Sequence, residues 1–536
     1  MAVYLYKFYS LLTLVSASAV VDLGYSSYEG RTLSNGVTQW LGMRYAAPPV
    51  GNLRFAAPQD PLFVEGVQQA NQHGSICIPT AGGEGQAVPA GTSEDCLFLD
   101  VFAPTAAVGS GRLPVFFFIQ GGGFASNSNA NYNGTGLIEA SGKNMVVVTF
   151  NYRVGPYGFL AGREVEGKAS LNNGLKDQRK ALEWVQRHIS KFGGDPKHVV
   201  IGGDSAGAAS VTLMLSAYGG RDDGLFVAAA AESQSFATML NVTESQFAYD
   251  ALISATACGG NNDTLACLRN LDVNALQRKN VNRPYPGQSG KPLYTYGPTI
   301  DEALVPDHTY ALFHAGKFIK VPVIFGDDTN EGTIFVPKST ASVAEADNFI
   351  QRQFPFMTQS QMTKINSMYL TADKTESFPG AGAYWRPAST AYGEIRYICP
   401  GIDMSSVYAA AGVPSWNYHY AVQDPADEAS GRGVTHTVEV NAIWGPDNTG
   451  GAPASYYTTN AAIVPVVQAY WTSFIMHLDP NVKRLSSSPR WQTWGQGGDA
   501  YRRIFIRTGE TRMETVPQDQ RTRCEYLIGI GVDLHQ

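Results

Sequence analysis

The sequence predicts an α/β fold with a large, mostly parallel central sheet flanked by helices. Three observations carry this. Residues 113–119 and 145–150 are apolar runs rich in β-branched and aromatic residues that stop at turn formers, as buried parallel strands do. Between residues 175 and 192, Leu175, Leu182, Val185, Ile189 and Phe192 recur mostly at three- and four-residue steps with charges between them, which predicts an amphipathic helix. After Gly193-Gly194 and Asp195-Pro196, a short apolar strand at 199–201 runs through a Gly/Ser-rich turn into an Ala-rich stretch at 206–217. Strands alternating with helices predict a mostly parallel sheet covered on both faces.

Later elements extend the pattern. Residues 321–325 and 416–422 read as strands, and 461–478 as a helix. With 536 residues, 44% of them hydrophobic, the chain can bury a sizeable core unaided. No internal repeat or low-complexity linker offers a cut, so residues 20–536 are expected to form one domain. Residues 1–19 read as an export leader: Lys7 precedes the apolar run 11–15, followed by Ala17, Ser18 and Ala19. That run is far short of a bilayer span, so secretion is expected rather than membrane anchorage. A net charge of -7 without Lys/Arg runs argues against nucleic acid as a partner.

An oxidising destination makes the six cysteines legible: Cys77, Cys96, Cys258, Cys267, Cys399 and Cys524. Spacing makes Cys77 with Cys96, and Cys258 with Cys267, natural local loops. No Cys/His cluster suggests a metal, and no cofactor is implied. Asn133, Asn241 and Asn262 each open an Asn-x-Thr acceptor pattern for glycosylation.

Gly203-Asp204-Ser205-Ala206-Gly207 matches G-x-S-x-G, a weak pattern alone in a chain with 56 glycines. Its place between a strand and a helix gives it meaning. A sharp turn there pushes Ser205 above the sheet, and the helix that follows leaves the Ala206 amide free to donate to a developing negative charge. Gln120-Gly121-Gly122-Gly123-Phe124 follows the strand at 113–119, and three glycines let successive amides converge as an oxyanion hole.

At this point the sequence resembles the type-B carboxylesterase/lipase family, which includes cholinesterases and fungal esterases and lipases. The resemblance rests on Tyr45-Ala46-Ala47-Pro48-Pro49-Val50-Gly51-Asn52-Leu53-Arg54-Phe55, Ser93-Glu94-Asp95-Cys96-Leu97-Phe98-Leu99, Asn151-Tyr152-Arg153-Val154-Gly155 and Gly174-Leu175-Lys176-Asp177-Gln178-Arg179. It implies an α/β-hydrolase fold, buried pairs of Arg54 with Glu94 and of Arg153 with Asp177, and Gly122, Gly123 and Ala206 as oxyanion donors. It also implies a third disulfide between Cys399 and Cys524. Family members often carry His before the three glycines, where this chain has Gln120.

A serine hydroxyl needs an imidazole to take its proton and a carboxylate to orient that imidazole, in the chain order Ser, acid, His. His419 lies in a strand-like run, His477 in the late helix and His535 in the tail. His436, in the loop Gly433-Val434-Thr435-His436, resembles the family's catalytic histidine segment. Asp327, Asp328 and Glu331 compete on the loop after the strand at 321–325, and Glu331-Gly332 resembles the family's acid motif. Asp204 is expected to be a hydrogen-bonding neighbour. The expected partner is thus a small-molecule ester, hydrolysed by a serine esterase with Ser205, Glu331 and His436.

The segment between Cys77 and Cys96 has no aromatic residue and no helical apolar stripe, so it predicts no amphipathic lid, and it lacks the tryptophan with which cholinesterases hold a quaternary ammonium. A carboxylesterase for soluble or short-to-medium acyl esters is therefore expected, with Phe124 and Phe236 as candidate acyl-pocket residues. The rival readings are a lipase or sterol esterase and, from a different class, a non-catalytic adhesion module of the same family.

Overall fold

Alternation of buried side chains along the strands sets the architecture. The computed structural model describes residues 19–498 and 500–536. The expected leader lies outside the described residues except for Ala19, which opens the first strand and whose carbonyl accepts from the Trp40 indole N–H at 2.8 Å. The first part of the sheet comprises β1 (Ala19–Asp22), β2 (Ser27–Thr32), β3 (Val37–Arg44), β4 (Val67–Gln69), β5 (Phe98–Pro104), β6 (Leu113–Ile119) and β7 (Val146–Phe150). The second comprises β8 (Gly194–Asp204), β9 (Ala228–Glu232), β10 (Val323–Asp328), β11 (Ser415–Tyr420), β12 (Arg502–Ile506) and β13 (Arg512–Thr515).

These strands form one sheet in the order β1-β2-β3-β5-β7-β6-β8-β9-β10-β11-β12-β13, with β4 beside β2. From β7 to β12 neighbouring strands are parallel, while the two ends are antiparallel. The chain leaves β6 toward β7 on one side and returns to β8 on the other. Strand order therefore reverses at β6, and the C-terminal ends of β6 and β8 lie at the kind of point where such sheets bind ligands.

The period of two divides the core. Val115, Phe117, Ile119, Val199, Ile201, Val323 and Phe325 face one side, where α1 (Asn173–His188), α2 (Ala206–Gly220) and α4 (Cys399–Ala410) pack. Phe116, Phe118, Val200, Ile324, Trp416 and Tyr418 face the other, under α5 (Val464–His477). A third cluster joins α3 (Trp385–Gly393) with α6 (Gln518–Gly529).

The expected strands and helices are present with shifted ends. The strand at 199–201 runs the full length of β8, the helix at 175–192 ends as a short 3-10 turn after His188, and the one at 206–217 loses helical geometry at Ala217. Cys77–Cys96, Cys258–Cys267 and Cys399–Cys524 are disulfides.

Candidate active site

Ser205 occupies the turn between β8 and α2 with φ 55° and ψ −120°, a region that non-glycine residues rarely adopt. Its neighbours make this turn possible. A methyl group on Gly203 would sit 2.6 Å from the carbonyl oxygen of Ile119, and one on Gly207 would run into the same oxygen. Only hydrogen at both positions lets α2 start against β6. The Ser205 amide is used by the Glu232 carbonyl of β9 at 2.9 Å, which fixes the turn from the neighbouring strand.

The loop leaving β6 lies beside this turn. Gln120 is buried and fully engaged: its Nε2 donates to the Phe150 carbonyl at 2.8 Å and to Asn151 Oδ1 at 3.0 Å, while its Oε1 accepts from the Asn129 amide at 3.1 Å. Gln120 thus supplies local support for the glycine loop. Asp204 Oδ1 accepts from the Gly121 amide at 2.9 Å, tying the loop to the serine's own strand. Burial pushes the Asp204 carboxyl up to about 6. Gly122 and Gly123 have φ 114° and 64°, and a methyl on Gly123 would enter the Tyr294 ring. Among the described residues no acceptor takes the amides of Gly122 or Gly123, and the Ala206 amide is the first of its helix, without an intrahelical acceptor.

The candidate acid and base, Glu331 and His436, lie on the loops after β10 and β11. Glu331 is 1% exposed, and its Oε1 accepts from the Asp328 amide at 2.7 Å. Its Oε2 accepts from His436 Nδ1, which places the proton there and leaves His436 Nε2 to accept from Ser205 Oγ at 2.8 Å. The two loops are stitched together, since Asn330 donates to the Val434 carbonyl at 2.8 Å and the Val434 amide donates to Asn330 Oδ1 at 3.0 Å. Tyr397 and Phe335 pack on the imidazole with ring centroids 4.4 and 5.1 Å away.

The competing carboxyls do different work. Burial raises both Asp327 and Asp328 well above the carboxylate range, with the Glu331 charge adding to the first and Glu439 to the second. Asp328 Oδ2 accepts from Ser233 Oγ at 3.3 Å, and Ser233 Oγ also reaches Glu439 Oε1 at 3.0 Å. Tyr418 Oη donates to the same Glu439 oxygen at 2.8 Å. Sequence reasoning missed Ser233 and Glu439, and no motif marks them. His419 is a satisfied strand histidine, bonded to Glu514 at 2.9 Å and to Thr329 at 2.8 Å.

Arg54 is paired with Glu94 at 2.5 and 2.6 Å, and Arg153 with Asp177 at 2.8 and 2.7 Å, as expected. Phe124 lines a cavity beside the glycine loop, but Phe236 does not; it packs on Tyr310 with ring centroids 4.9 Å apart. Among the described residues, the one converging set of potential metal ligands is Glu394 with Cys399 and Cys524, and those two sulfurs are bonded to each other. Asn241 and Asn262 are exposed, while Asn133 is half-buried, its side chain bonded to the Thr135 amide at 3.0 Å.

Residues 17–525 match the sequence model of the carboxylesterase family. The chain belongs to that family. This carboxylesterase is 28% identical over 521 residues to Secreted lipase 4 of Gibberella zeae, covering 92% of this chain and 90% of the lipase. It is 36% identical over 368 residues to Lipase 1 of Geotrichum candidum, covering 61% and 64% of the two chains. The crystal structure of Aspergillus niger EstA superposes with a TM-score of 0.92 at 44% identity, covering 97% of this chain and 99% of that one. The fold is that of an α/β-hydrolase, and the carboxylesterase is a carboxylic ester hydrolase.

Proposed function

We propose that this carboxylesterase is a secreted serine esterase that hydrolyses esters through an acyl-enzyme, with Ser205 as nucleophile, His436 as base and acid, and Glu331 as the orienting carboxylate. The relay of Ser205 Oγ, His436 and Glu331 beside free amides carries this reading. His436 Nε2 takes the Ser205 proton as the hydroxyl attacks the ester carbonyl. The tetrahedral oxyanion rests on the amides of Gly122, Gly123 and Ala206, each such donor being worth about 2.7–4 kcal/mol of barrier. His436 then protonates the departing alcohol, and a water deprotonated by the same imidazole releases the acid. Glu331 holds the Nδ1 tautomer and balances the imidazolium.

Export is supported by relatives whose names describe them as secreted, and no helix among the described residues is long and apolar enough to cross a membrane. Several relatives are named lipases, which supports a lipase as the second reading. Against it stands the segment between Cys77 and Cys96, which contains no helix and is tethered: the Ala81 amide donates to the Asn280 carbonyl and the Gly85 amide to that of Arg278, at 2.8 and 2.9 Å, while Glu84 pairs with Arg283 at 2.8 Å. A segment so held makes a poor interfacial flap.

Ser205→Ala is expected to abolish turnover of a nitrophenyl ester and labelling by a fluorophosphonate while leaving thermal unfolding nearly unchanged. Retained turnover would overturn the assignment. Activity on a triacylglycerol is expected to show no jump as the substrate passes its solubility limit; a sharp rise there would favour the lipase.

A further inference from the structure

Arg396 stands apart from the other buried arginines of this chain. Arg54, Arg153 and Arg503, each about as buried, are paired with Glu94, Asp177 and Glu514. That is the usual condition of a desolvated guanidinium, because an unpaired buried charge is costly. Arg396 is 5% exposed, and among the described residues it has no carboxylate partner, with its Nε buried and unbonded. Instead, the phenol rings of Tyr392, Tyr397 and Tyr294 stand around it. Its guanidinium lies over the rings of Tyr294 and Tyr397, 5.4 and 5.6 Å from their centroids.

Its position matters as much as its isolation. Arg396 sits in the π-helical turn Glu394–Ile398 between α3 and α4, a type of irregularity often found at functional sites. It lines the cavity that Gly123, Phe124, Phe159, Tyr294 and Tyr296 also line, and Tyr294 itself lies against Gly123. One aromatic ring thus separates the guanidinium from the loop assigned to the oxyanion. Gly123 and Phe124 carry the cavity up to the glycine loop that follows β6, while Ser205 and His436 lie outside its lining.

We propose that this cavity takes the acyl chain and that Arg396 binds a carboxylate at its far end, making monoesters of dicarboxylic acids the preferred substrates of this carboxylesterase; the proposal rests on the acyl-transfer reading of Ser205, Glu331 and His436. A planar guanidinium takes a carboxylate through two parallel hydrogen bonds, and the aromatic walls around it strengthen them by excluding water. An acyl chain ending in methyl leaves the same charge unpaired. The reaction itself is unchanged: the acyl carbon–oxygen bond breaks, the alkoxide oxygen takes its proton from His436, water supplies the new carboxyl oxygen, and the products are a dicarboxylate and an alcohol.

The test measures kcat/KM of the full chain in a pH-stat for the monoethyl esters of succinic, glutaric and adipic acid against ethyl pentanoate, hexanoate and heptanoate. At one chain length or more the monoester is expected to be preferred by about tenfold, and Arg396→Gln is expected to lower that preference by about tenfold, with Arg396→Lys recovering part of it. Neutral esters hydrolysed as well as the monoesters at every length, or a preference unmoved in Arg396→Gln, would overturn the proposal. Should the variants unfold, inhibition of the unaltered enzyme by adipate against hexanoate decides: adipate is expected to bind tighter, and equal or weaker binding would overturn it. Failure of the acyl-transfer reading is distinct, because both ester series would then be hydrolysed without regard to Ser205→Ala.

Discussion

At the scale of single residues, the site combines a strained serine with a buried acid next to it. Asp204 has its carboxyl raised from 3.8 to about 6 by burial while accepting from Gly121. A folded-state value above the unfolded one means that Asp204 contributes stability below about pH 4 and that this contribution is lost as pH rises through 6. Asp204→Asn keeps an oxygen for the Gly121 amide and removes the titration. Urea melts across pH are therefore expected to show the unaltered enzyme losing roughly 3 kcal/mol relative to the variant between pH 4 and 6, then staying level. Parallel profiles would contradict it. Arg396 belongs to the same scale, since its importance comes from a missing partner, and a lone arginine in a sequence carries no mark of what will fail to stand beside it.

At the scale of elements, the serine turn depends on two glycines more than on the serine. Gly207→Ala would drive a methyl into the Ile119 carbonyl, part of the backbone where β6 meets the glycine loop, so neither side can yield without moving the other. The substitution is expected to cost about 2–3 kcal/mol in a denaturant melt and to depress ester turnover far more than that loss of stability explains. An active, fully stable variant would show that the packing is looser than these contacts require. Glycine spacing was also what made this element readable. Strands β6 and β7 announce themselves through β-branched and aromatic runs, whereas β9 is four alanines and a glutamate, residues with little strand preference, and becomes a strand only because β8 and β10 flank it. Polar residues hide β2 in the same way. Of the site, Ser205 could be read from its turn and the glycine loop from its strand. Glu331 and His436 needed the family resemblance, because nothing local distinguishes Glu331 from Asp327 and Asp328 before burial is known. The bond between Ser233 and Glu439 joins positions 206 residues apart and has no local signature.

For the whole molecule, the longest covalent constraint is Cys399–Cys524, with a sequence separation of 125 against 9 for Cys258–Cys267. It links α4, which packs on the sheet, to α6 in the helical cluster. Replacing both Cys399 and Cys524 by alanine is expected to cost about 3–5 kcal/mol, more than the same change at Cys258 and Cys267, because a longer loop restricts the unfolded chain more. Calorimetry of the two double variants checks the order, and a larger loss at the shorter loop would reverse it.

The parallel sheet draws the components of the relay from loops at 205, 331 and 436, with the imidazole arriving last. On the proposed assignment, a polypeptide still on the ribosome with its final quarter unsynthesised holds the nucleophile without its base. The proposed acyl transfer therefore cannot begin in the cell that makes the chain until synthesis has passed the imidazole.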